Sequence, residues 1–314
     1  MKYFVTGGAG FIGSHIVDRL MKNRKEVTVY DNLSSGKKEF VGTHEGKKNF
    51  RFVKGDLLDQ ELLKETIKDH QFVWHIAANP DVKCGSEKTD VDLKNGTIAT
   101  HNLLEAMKLR GVKKISFASS SVVYGEAKAF PTPEHYGPLA PISLYAASKL
   151  AAEGLITAYC HNFGMKCWIF RFANIIGKRG THGIIVDFIE KLKKDHTRLE
   201  VLGNGKQRKS YLLVDECVDA MFFAVKNSGD EVNIFNLGSE DQIEISKIAE
   251  ITVGELGLKN VKLEYTGGVR GWKGDVPLML LGTKKINKLG WKNKYSSEEA
   301  IRKTVKIIIN ERWK

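Results

Sequence analysis

The stretch Thr6-Gly7-Gly8-Ala9-Gly10-Phe11-Ile12-Gly13 lies directly between an apolar run and an amphipathic one. Glycines at the first, fourth and seventh places of such a turn let backbone N–H groups approach a pyrophosphate. The start of the following helix adds partial positive charge toward the phosphates. The stretch therefore predicts a dinucleotide site between a strand and a helix, with contacts from Gly7, Gly10, Phe11, Ile12 and Gly13.

Short β-branched and aromatic runs alternate with amphipathic stretches through the first half of the chain. We predict strands at residues 2–6, 26–30, 50–54, 72–76, 114–118 and 166–171. We predict helices at residues 12–21, 60–69, 92–109 and 142–162. This alternation is typical of a Rossmann fold, an α/β doubly wound parallel sheet.

Beyond about residue 172 the pattern of glycines and short apolar pieces becomes irregular. We therefore predict a cofactor-binding domain at residues 1–172, with a return segment at about 212–238. Residues 173–211 and 239–314 are predicted to form a smaller α/β lobe for the substrate.

Composition restricts the class of protein. The chain has 314 residues, a formal net charge of +12 and four cysteines, none of them in a metal-finger spacing. No apolar run approaches the roughly 20 residues that a membrane helix needs. The scattered lysines favour a solvated basic surface over a nucleic-acid stripe. We expect a cytoplasmic protein with no bound metal, no nucleic-acid partner and no membrane partner.

Asp31 follows the second predicted strand, about 20 residues after the glycine loop, where a carboxylate accepts from ribose hydroxyls. It would repel a 2′-phosphate, so NAD is favoured over NADP; a turn cap is the alternative role. Ligands lie outside the carboxyl ends of parallel strands. By that rule Asp56 and Leu57 are expected beside the adenine, and Ala77 and Ala78 on the nicotinamide side.

Tyr145 and Lys149 are four residues apart and share one face of a predicted helix. A free tyrosine titrates near pH 10. A neighbouring ammonium and a positive nicotinamide ring would both favour the phenolate. The alternative is an amphipathic helix with a surface lysine. Ser119, Ser120 and Ser121 end another strand, where a hydroxyl would reach the crevice, although such a run also satisfies its own backbone.

The glycine loop, Asp31, the serine run and the Tyr145/Lys149 pair occur in an order that resembles the extended short-chain dehydrogenase/reductase superfamily. Within it, the chain is similar to the NAD-dependent epimerase/dehydratase family. The resemblance runs from Met1 to about Thr304 and includes the motifs Asp31-Asn32-Leu33-Ser34-Ser35-Gly36, Gly55-Asp56-Leu57, Arg171-Phe172-Ala173-Asn174, Gly203-Asn204-Gly205-Lys206-Gln207 and Leu289-Gly290-Trp291-Lys292.

The resemblance implies a nucleotide-sugar substrate and NAD as the cofactor. Ser120, Tyr145 and Lys149 would be catalytic, acting on the sugar 4-hydroxyl through transient oxidation at carbon 4. Further NAD contacts would come from Asn32, Ser34, Ser35, Gly36, Asn95, Ser119 and Phe172. Substrate contacts would come from Lys83, Ser120, Ser121, Tyr145, Asn174, Lys209, Arg270 and Met279, with Lys273 as a rival to Arg270. A homodimer through a four-helix bundle is also implied.

The serine run separates the branches of this family. The resemblance implies that dehydratases carry Asp-Glu after the catalytic hydroxyl and that decarboxylases keep the glutamate. This chain has Ser121-Val122 there. A 4-epimerase needs only the hydroxyl, the tyrosine and the lysine, so UDP-glucose and UDP-galactose are the expected substrates, with N-acetyl forms admitted by Met279. UDP-glucuronate 4-epimerase, another NAD-dependent nucleotide-sugar oxidoreductase, or a non-catalytic NAD- or RNA-binding module are the alternatives.

Overall fold

Strands and helices alternate from the first residues on in the computed structural model, which describes residues 1–81, 85 and 87–313, and of Arg312 only the backbone. The chain forms two compact units. The first unit comprises Met1–Val123, Ala140–Arg171 and Ala224–Phe235, and the second comprises Tyr124–Leu139, Phe172–Phe223 and the chain from Asn236 onward. The predicted division of cofactor and substrate binding between domains stays a prediction.

The elements up to the sixth strand are β1 (Lys2–Thr6), α1 (Phe11–Lys22), β2 (Glu26–Asp31), β3 (Phe50–Lys54), α2 (Gln60–Thr66), β4 (Phe72–His75), α3 (Asp90–Asp92), α4 (Ala99–Arg110), β5 (Lys114–Ser120), α5 (Leu144–Phe163) and β6 (Lys166–Phe172). A π-helical segment, Leu93–Ile98, joins α3 to α4, and short 3₁₀ turns occur at Lys38–Phe40, Gly42–His44 and Ser121–Tyr124.

The later elements are β7 (Asn174–Ile176), α6 (Ile184–Lys194), β8 (Arg198–Val201), β9 (Arg208–Lys209), β10 (Tyr211–Leu213), α7 (Val214–Asn227), β11 (Val232–Leu237), β12 (Ile243–Glu244), α8 (Ile245–Glu255), β13 (Lys262–Tyr265), β14 (Leu278–Met279), α9 (Lys284–Lys288) and α10 (Ser297–Arg312).

A seven-stranded sheet has the order β11-β6-β5-β4-β1-β2-β3. The pairs β1–β2, β2–β3, β1–β4 and β4–β5 are parallel. The strand order reverses between β1 and β4, which is the switch point at which such sheets bind ligands. The predicted Rossmann α/β fold is confirmed.

The core of the first unit is apolar on both faces of this sheet, as a parallel sheet covered by helices requires. Phe4, Val73 and Ile115 from the strands are fully buried together with Leu103 of α4 and Ile156 of α5. Helix α5 begins where the Ser143 side chain accepts from the Ala146 N–H at 3.2 Å, and it is followed by Gly164 in a left-handed conformation. This cap fixes where Tyr145 enters the helix.

We predicted one continuous α-helix at residues 92–109. That prediction was wrong, because the helix is interrupted. The chain runs through α3, the π-helical segment and α4 instead of one α-helix. Gly96 of the π segment lies against α5, where a Cβ would come within 2.6 Å of the Ser148 hydroxyl oxygen. A π-helical turn contains one more residue than an α-helical turn, and the spacing of apolar residues does not reveal this difference. Short π-helical segments often occur at functional sites.

The second unit has its own core, in which α6, α8 and α10 pack together with the pair β8–β13. Its strands form three small sheets: β10-β7, β12-β9-β14 and β13-β8. Helix α10 begins with a capping box, in which Ser296 and Glu299 satisfy each other's backbone N–H groups. In the described part of the chain, no helix is both long and apolar enough to span a bilayer.

Candidate active site

The glycine loop joins β1 to α1 and requires glycine for two separate reasons. Gly7 has a φ of +66°, and its N–H donates to the Tyr30 carbonyl at 3.0 Å. A Cβ on Gly7 would lie 2.7 Å from the Ala77 backbone, and one on Gly13 would overlap the Gly7 carbonyl oxygen. The backbone of the loop can therefore pack this closely only if positions 7 and 13 are glycine.

The space over Gly10 suits a pyrophosphate. A Cβ there would meet only the Gly7 carbonyl oxygen, at 3.1 Å, among the described atoms. Gly10 is the N-cap of α1, and no side chain in the described chain caps this helix start. The first N–H groups of α1 are thus positioned to bind an anion. This arrangement fits NAD.

Asp31 ends β2 with a buried carboxylate. Its Oδ2 accepts from the Ala9 N–H at 2.9 Å and its Oδ1 from the Leu33 N–H at 2.8 Å. Burial raises the pKa of this carboxyl group, while the two backbone bonds lower it. Each oxygen keeps a lone pair for a ribose hydroxyl. The carboxylate is held against the glycine loop, where it would repel the additional phosphate of NADP.

The loops after β2, β3 and β4 carry other predicted NAD contacts. Asn32 donates to Asp56 Oδ2 at 2.9 Å, which joins the first two loops. The Ala77 N–H lies 3.3 Å from the Thr6 hydroxyl. The remaining predicted contacts differ in exposure: Leu57 is buried, Ser34 and Ser35 are exposed, and Gly36, Ala78 and Asn95 are half-buried. Phe172 is buried and belongs to the second unit.

Tyr145 and Lys149 lie one turn apart on α5. Lys149 Nζ is 5.7 Å from the centre of the Tyr145 ring and 4.7 Å from that of Phe117. The ammonium donates to the Ala118 carbonyl at 2.6 Å, and only 3% of Lys149 is exposed. The alternative of a surface lysine is therefore excluded.

Burial controls the protonation of this pair. It lowers the pKa of Lys149 to about 8, although the charges of Glu153 and Asp92 act in the opposite direction. Burial also raises the pKa of Tyr145, and the charge of Asp92 raises it further. Among the protein's own groups, desolvation therefore dominates the pKa of Tyr145. The expected lowering by Lys149 and the nicotinamide ring stays a prediction.

The three serines after β5 have different environments. Ser119 donates to Glu153 Oε1 at 2.5 Å, and Glu153 also accepts from Arg171 Nη2 at 2.7 Å. Because its hydroxyl is bound to Glu153, an NAD contact from Ser119 would come from its backbone. Ser120 is half-buried, and its Oγ accepts a long 3.4 Å bond from the Val122 N–H. Ser120 therefore retains a hydroxyl proton to donate, and Ser121 opens the 3₁₀ turn.

In the second unit, the predicted diphosphate cations are bound to carboxylates. Lys209 Nζ lies 2.5 Å from Asp275 Oδ1. Arg270 donates to Glu126 Oε1 and to the Asp275 carbonyl, both at 2.6 Å. Lys273 is exposed. Asp275 thus contacts both Lys209 and Arg270, and these residues form a charged cluster with Glu126.

Asn174 and Met279 lie near that cluster through Ser210. Asn174 donates to the Ser210 carbonyl at 3.2 Å, and the Ser210 hydroxyl contacts Met279 Sδ at 3.9 Å. Met279 is paired with Lys209 between β14 and β9. Lys83, another predicted substrate contact, lies outside the described residues.

Sequence reasoning missed several charged residues at these sites. Glu153 could have been found, because it continues the Tyr145/Lys149 face of α5 by one more turn. Asp92 and the carboxylates that pair with Lys209 and Arg270 gave no such signal. In the described ranges no group of three or more His, Cys, Asp or Glu side chains could hold a metal ion.

Comparisons with known proteins place this geometry in a family. Residues 3–238 match the family model described as "NAD dependent epimerase/dehydratase family". A putative UDP-glucose 4-epimerase of Methanocaldococcus jannaschii is 33% identical over 312 residues, covering 98% of each chain. A UDP-N-acetyl-α-D-glucosaminuronate decarboxylase of Bacillus cytotoxicus is 35% identical over 257 residues, 78% of this chain and 77% of that one.

A crystal structure of a UDP-galactose 4-epimerase superposes with a TM-score of 0.90 at 39% identity, covering 100% of both chains. The predicted cofactor, NAD, is the one for which the matching family is named. With the glycine loop, Asp31 and the Tyr145/Lys149 pair in one unit, the chain belongs to the NAD-dependent epimerase/dehydratase family.

Proposed function

We propose that the protein is an NAD-dependent nucleotide-sugar 4-epimerase that interconverts UDP-glucose and UDP-galactose. One observation carries this proposal: Ser121 and Val122 follow Ser120 at the place where dehydration or decarboxylation would need an acid. Neither side chain can protonate a leaving hydroxyl at neutral pH. The site then supports only oxidation and re-reduction of one carbon.

Transient oxidation is a physical route to inversion at an unactivated carbon, because a planar ketone accepts a hydride on either face. When bound, NAD supplies the acceptor for the hydride from carbon 4 and its return to the other face. Tyr145 takes the 4-hydroxyl proton and later gives it back. Ser120 donates a hydrogen bond to the same oxygen, and Lys149 positions the nicotinamide ribose and supplies positive charge beside the phenol.

NAD would be held by the glycine loop, Asp31 and the loops after β3 and β4. The diphosphate would be held in the second unit by Asn174, Lys209 and Arg270. Lysine makes a point-charge contact where arginine could make a bidentate one. Because both cations are already paired with carboxylates, their net positive charge toward a substrate is reduced. Met279 is flexible, which supports acceptance of N-acetyl sugars.

Two finer expectations belong to this proposal. A homodimer is supported by α4 and α5, which pack together and expose Leu109, Leu144 and Phe163. An interface between subunits along these two helices would remove these apolar side chains from water. Gel filtration with light scattering would test the dimer. The cytoplasmic location stays a prediction.

The proposal is tested by incubating purified protein with UDP-galactose, without added NAD, and following UDP-glucose by NMR. Conversion that Tyr145→Phe abolishes is the expected result. The same assay with UDP-N-acetyl sugars and UDP-glucuronate defines the sugar; conversion of the uronate alone would favour the UDP-glucuronate 4-epimerase. Loss of carbon dioxide or water from any substrate, or no conversion of any of them, would overturn the proposal.

A further inference from the structure

Asp92 is a buried carboxylate in the first unit that the proposed chemistry does not use. It ends α3 with only 1% of the residue exposed. Its Oδ1 accepts from Asn79 Nδ2 at 3.1 Å, while its Oδ2 is buried with no hydrogen-bond partner in the described part of the chain. A buried ionised carboxylate is costly unless another charge compensates it. One amide bond does not provide that charge.

The carboxylate of Asp92 faces the start of the catalytic helix. A Cβ on Gly85 would overlap Oδ2 and would also lie 3.4 Å from the Leu144 Cβ. Leu144 is the first residue of α5 and directly precedes Tyr145. Both α3 and the π-helical segment pack against α5. Asp92 is therefore fixed beside the first turn of α5, the turn that contains Tyr145.

Lys149 is the cation that this arrangement leaves without a direct counter-ion. Its Nζ donates to the Ala118 carbonyl, and no carboxylate in the described residues lies within ion-pair distance of it. Glu153 is one turn further along α5, but its oxygens accept from Arg171 and Ser119. Within the described residues Glu153 is thus paired with Arg171, whereas Asp92 has no ion pair. The charges of both carboxylates raise the pKa of Lys149, and that of Glu153 raises it more.

We propose that Asp92 is a positioning residue that acts through Lys149, because its buried and unpaired carboxylate, together with that of Glu153, supplies the counter-charge that keeps the ammonium charged beside Tyr145. This inference rests on the proposed function, in which Lys149 must remain a cation while Tyr145 exchanges a proton. Among the described residues, Asp92 makes no hydrogen bond or ion pair with Ser120, Tyr145 or Lys149, so its effect on Lys149 is through its charge.

The groups that face Asp92 agree with this role. The Asp92 charge acts to raise the pKa of both Lys149 and Tyr145, and the Lys149 charge acts to lower the pKa of Asp92. The Asp81 charge raises the pKa of Asp92, and burial raises it more. Near Lys149, His75 of β4 is held neutral because burial lowers its pKa to about 3. Removing the Asp92 charge should therefore lower the pKa of Lys149 and of Tyr145 together.

The test compares Asp92→Asn with the parent in the pH profile of kcat/KM for UDP-galactose. Both limbs should move toward lower pH by about one unit, the order expected when one nearby charge is removed. Asp90→Asn is the matched control: Asp90 lies on the same short helix, but it is exposed and paired with Lys94. Its profile should match that of the parent. If the pH profile of Asp92→Asn had a different maximal kcat/KM from that of the parent but the same two midpoints, the proposal would be overturned.

A second measurement does not depend on turnover. Protein with ¹³Cε-labelled lysine is titrated by NMR without substrate, and the Lys149 resonance is assigned with Lys149→Arg. Its midpoint should fall by about one unit in Asp92→Asn. An unchanged midpoint would overturn the role of Asp92. A shifted midpoint in a protein that epimerises no sugar would support that role and refute the proposed function alone.

A double variant keeps the proposal testable if Asp92→Asn does not fold. Asp92→Asn/Lys149→Met removes both charges, so it should be folded and should unfold at a higher temperature than Asp92→Asn. A double variant no more stable than the single one would overturn the proposed charge compensation.

Discussion

The ammonium of Lys149 lies 5.7 Å from the centre of the Tyr145 ring, one turn along the same helix. Helix α5 fixes this spacing, and the Ala118 carbonyl at the end of β5 holds the ammonium in place. The phenol and its cation are therefore organised by two neighbouring elements of one unit.

Tyr145→Phe should lower kcat by about 10²- to 10⁴-fold, because it removes the group that exchanges the 4-hydroxyl proton. The NAD content of the purified protein, measured after acid release, should stay unchanged. Tyr159→Phe removes a hydroxyl from the same helix, where it contacts Glu105, and should leave kcat unchanged. Equal activity in the two variants would contradict the assignment of Tyr145.

Gly13→Ala should abolish NAD retention, because the added Cβ overlaps the Gly7 carbonyl oxygen and forces the loop to move. Gly42→Ala is the control, since a Cβ there meets no described atom within 4 Å and the residue has no left-handed φ. Calorimetric titration of cofactor-free protein with NAD measures both. Wild-type affinity in Gly13→Ala would show that the loop does not bind the pyrophosphate.

Asp31→Asn should weaken NAD binding roughly 10- to 100-fold, the range expected when a hydrogen bond to a charged group is weakened. It should also narrow the preference for NAD over NADP, because the negative charge is removed. Asp69→Asn is a control at an exposed turn whose left-handed φ suits asparagine. If titrations gave an unchanged NAD/NADP ratio for Asp31→Asn, Asp31 would not bind the ribose.

Glu153→Gln should destabilise the fold by about 3–5 kcal/mol, because it leaves the buried Arg171 guanidinium without its counter-charge. Both side chains of this ion pair are 5% exposed. Glu298→Gln breaks the exposed pair with Arg302 and should change stability little. Urea unfolding followed by circular dichroism compares the two variants. A similar small effect from both would contradict the importance of the buried pair.

Local sequence patterns were sufficient for much of the fold and for the proximity of Tyr145 and Lys149. The strands at Lys2–Thr6 and Phe50–Lys54 have the predicted bounds. Tyr145 and Lys149 could be placed together because one helix carries both. Asp31 could be placed because it ends a strand that follows the glycine loop at a fixed interval.

Contacts between distant segments could not be derived in the same way. Lys209 and Asp275 form an ion pair although they are 66 positions apart in the sequence. The short helix that contains Asp92 packs against α5, as does the π-helical segment that follows it. The hydrophobic periodicity of the sequence predicts helices and strands but neither of these contacts, because each contact depends on how the helices and strands pack together. Desolvation, which raises the pKa of Tyr145, also follows from burial and not from the spacing of charges.

The most direct test of the proposed epimerase uses UDP-galactose labelled with deuterium at carbon 4 of the sugar, with no added NAD. The account predicts UDP-glucose that keeps the deuterium at carbon 4, because the label leaves and returns within one closed turnover. Mass spectrometry and proton NMR of the product measure this. Deuterium lost to solvent, or UDP-galactose left unconverted by protein that contains NAD, would contradict the account.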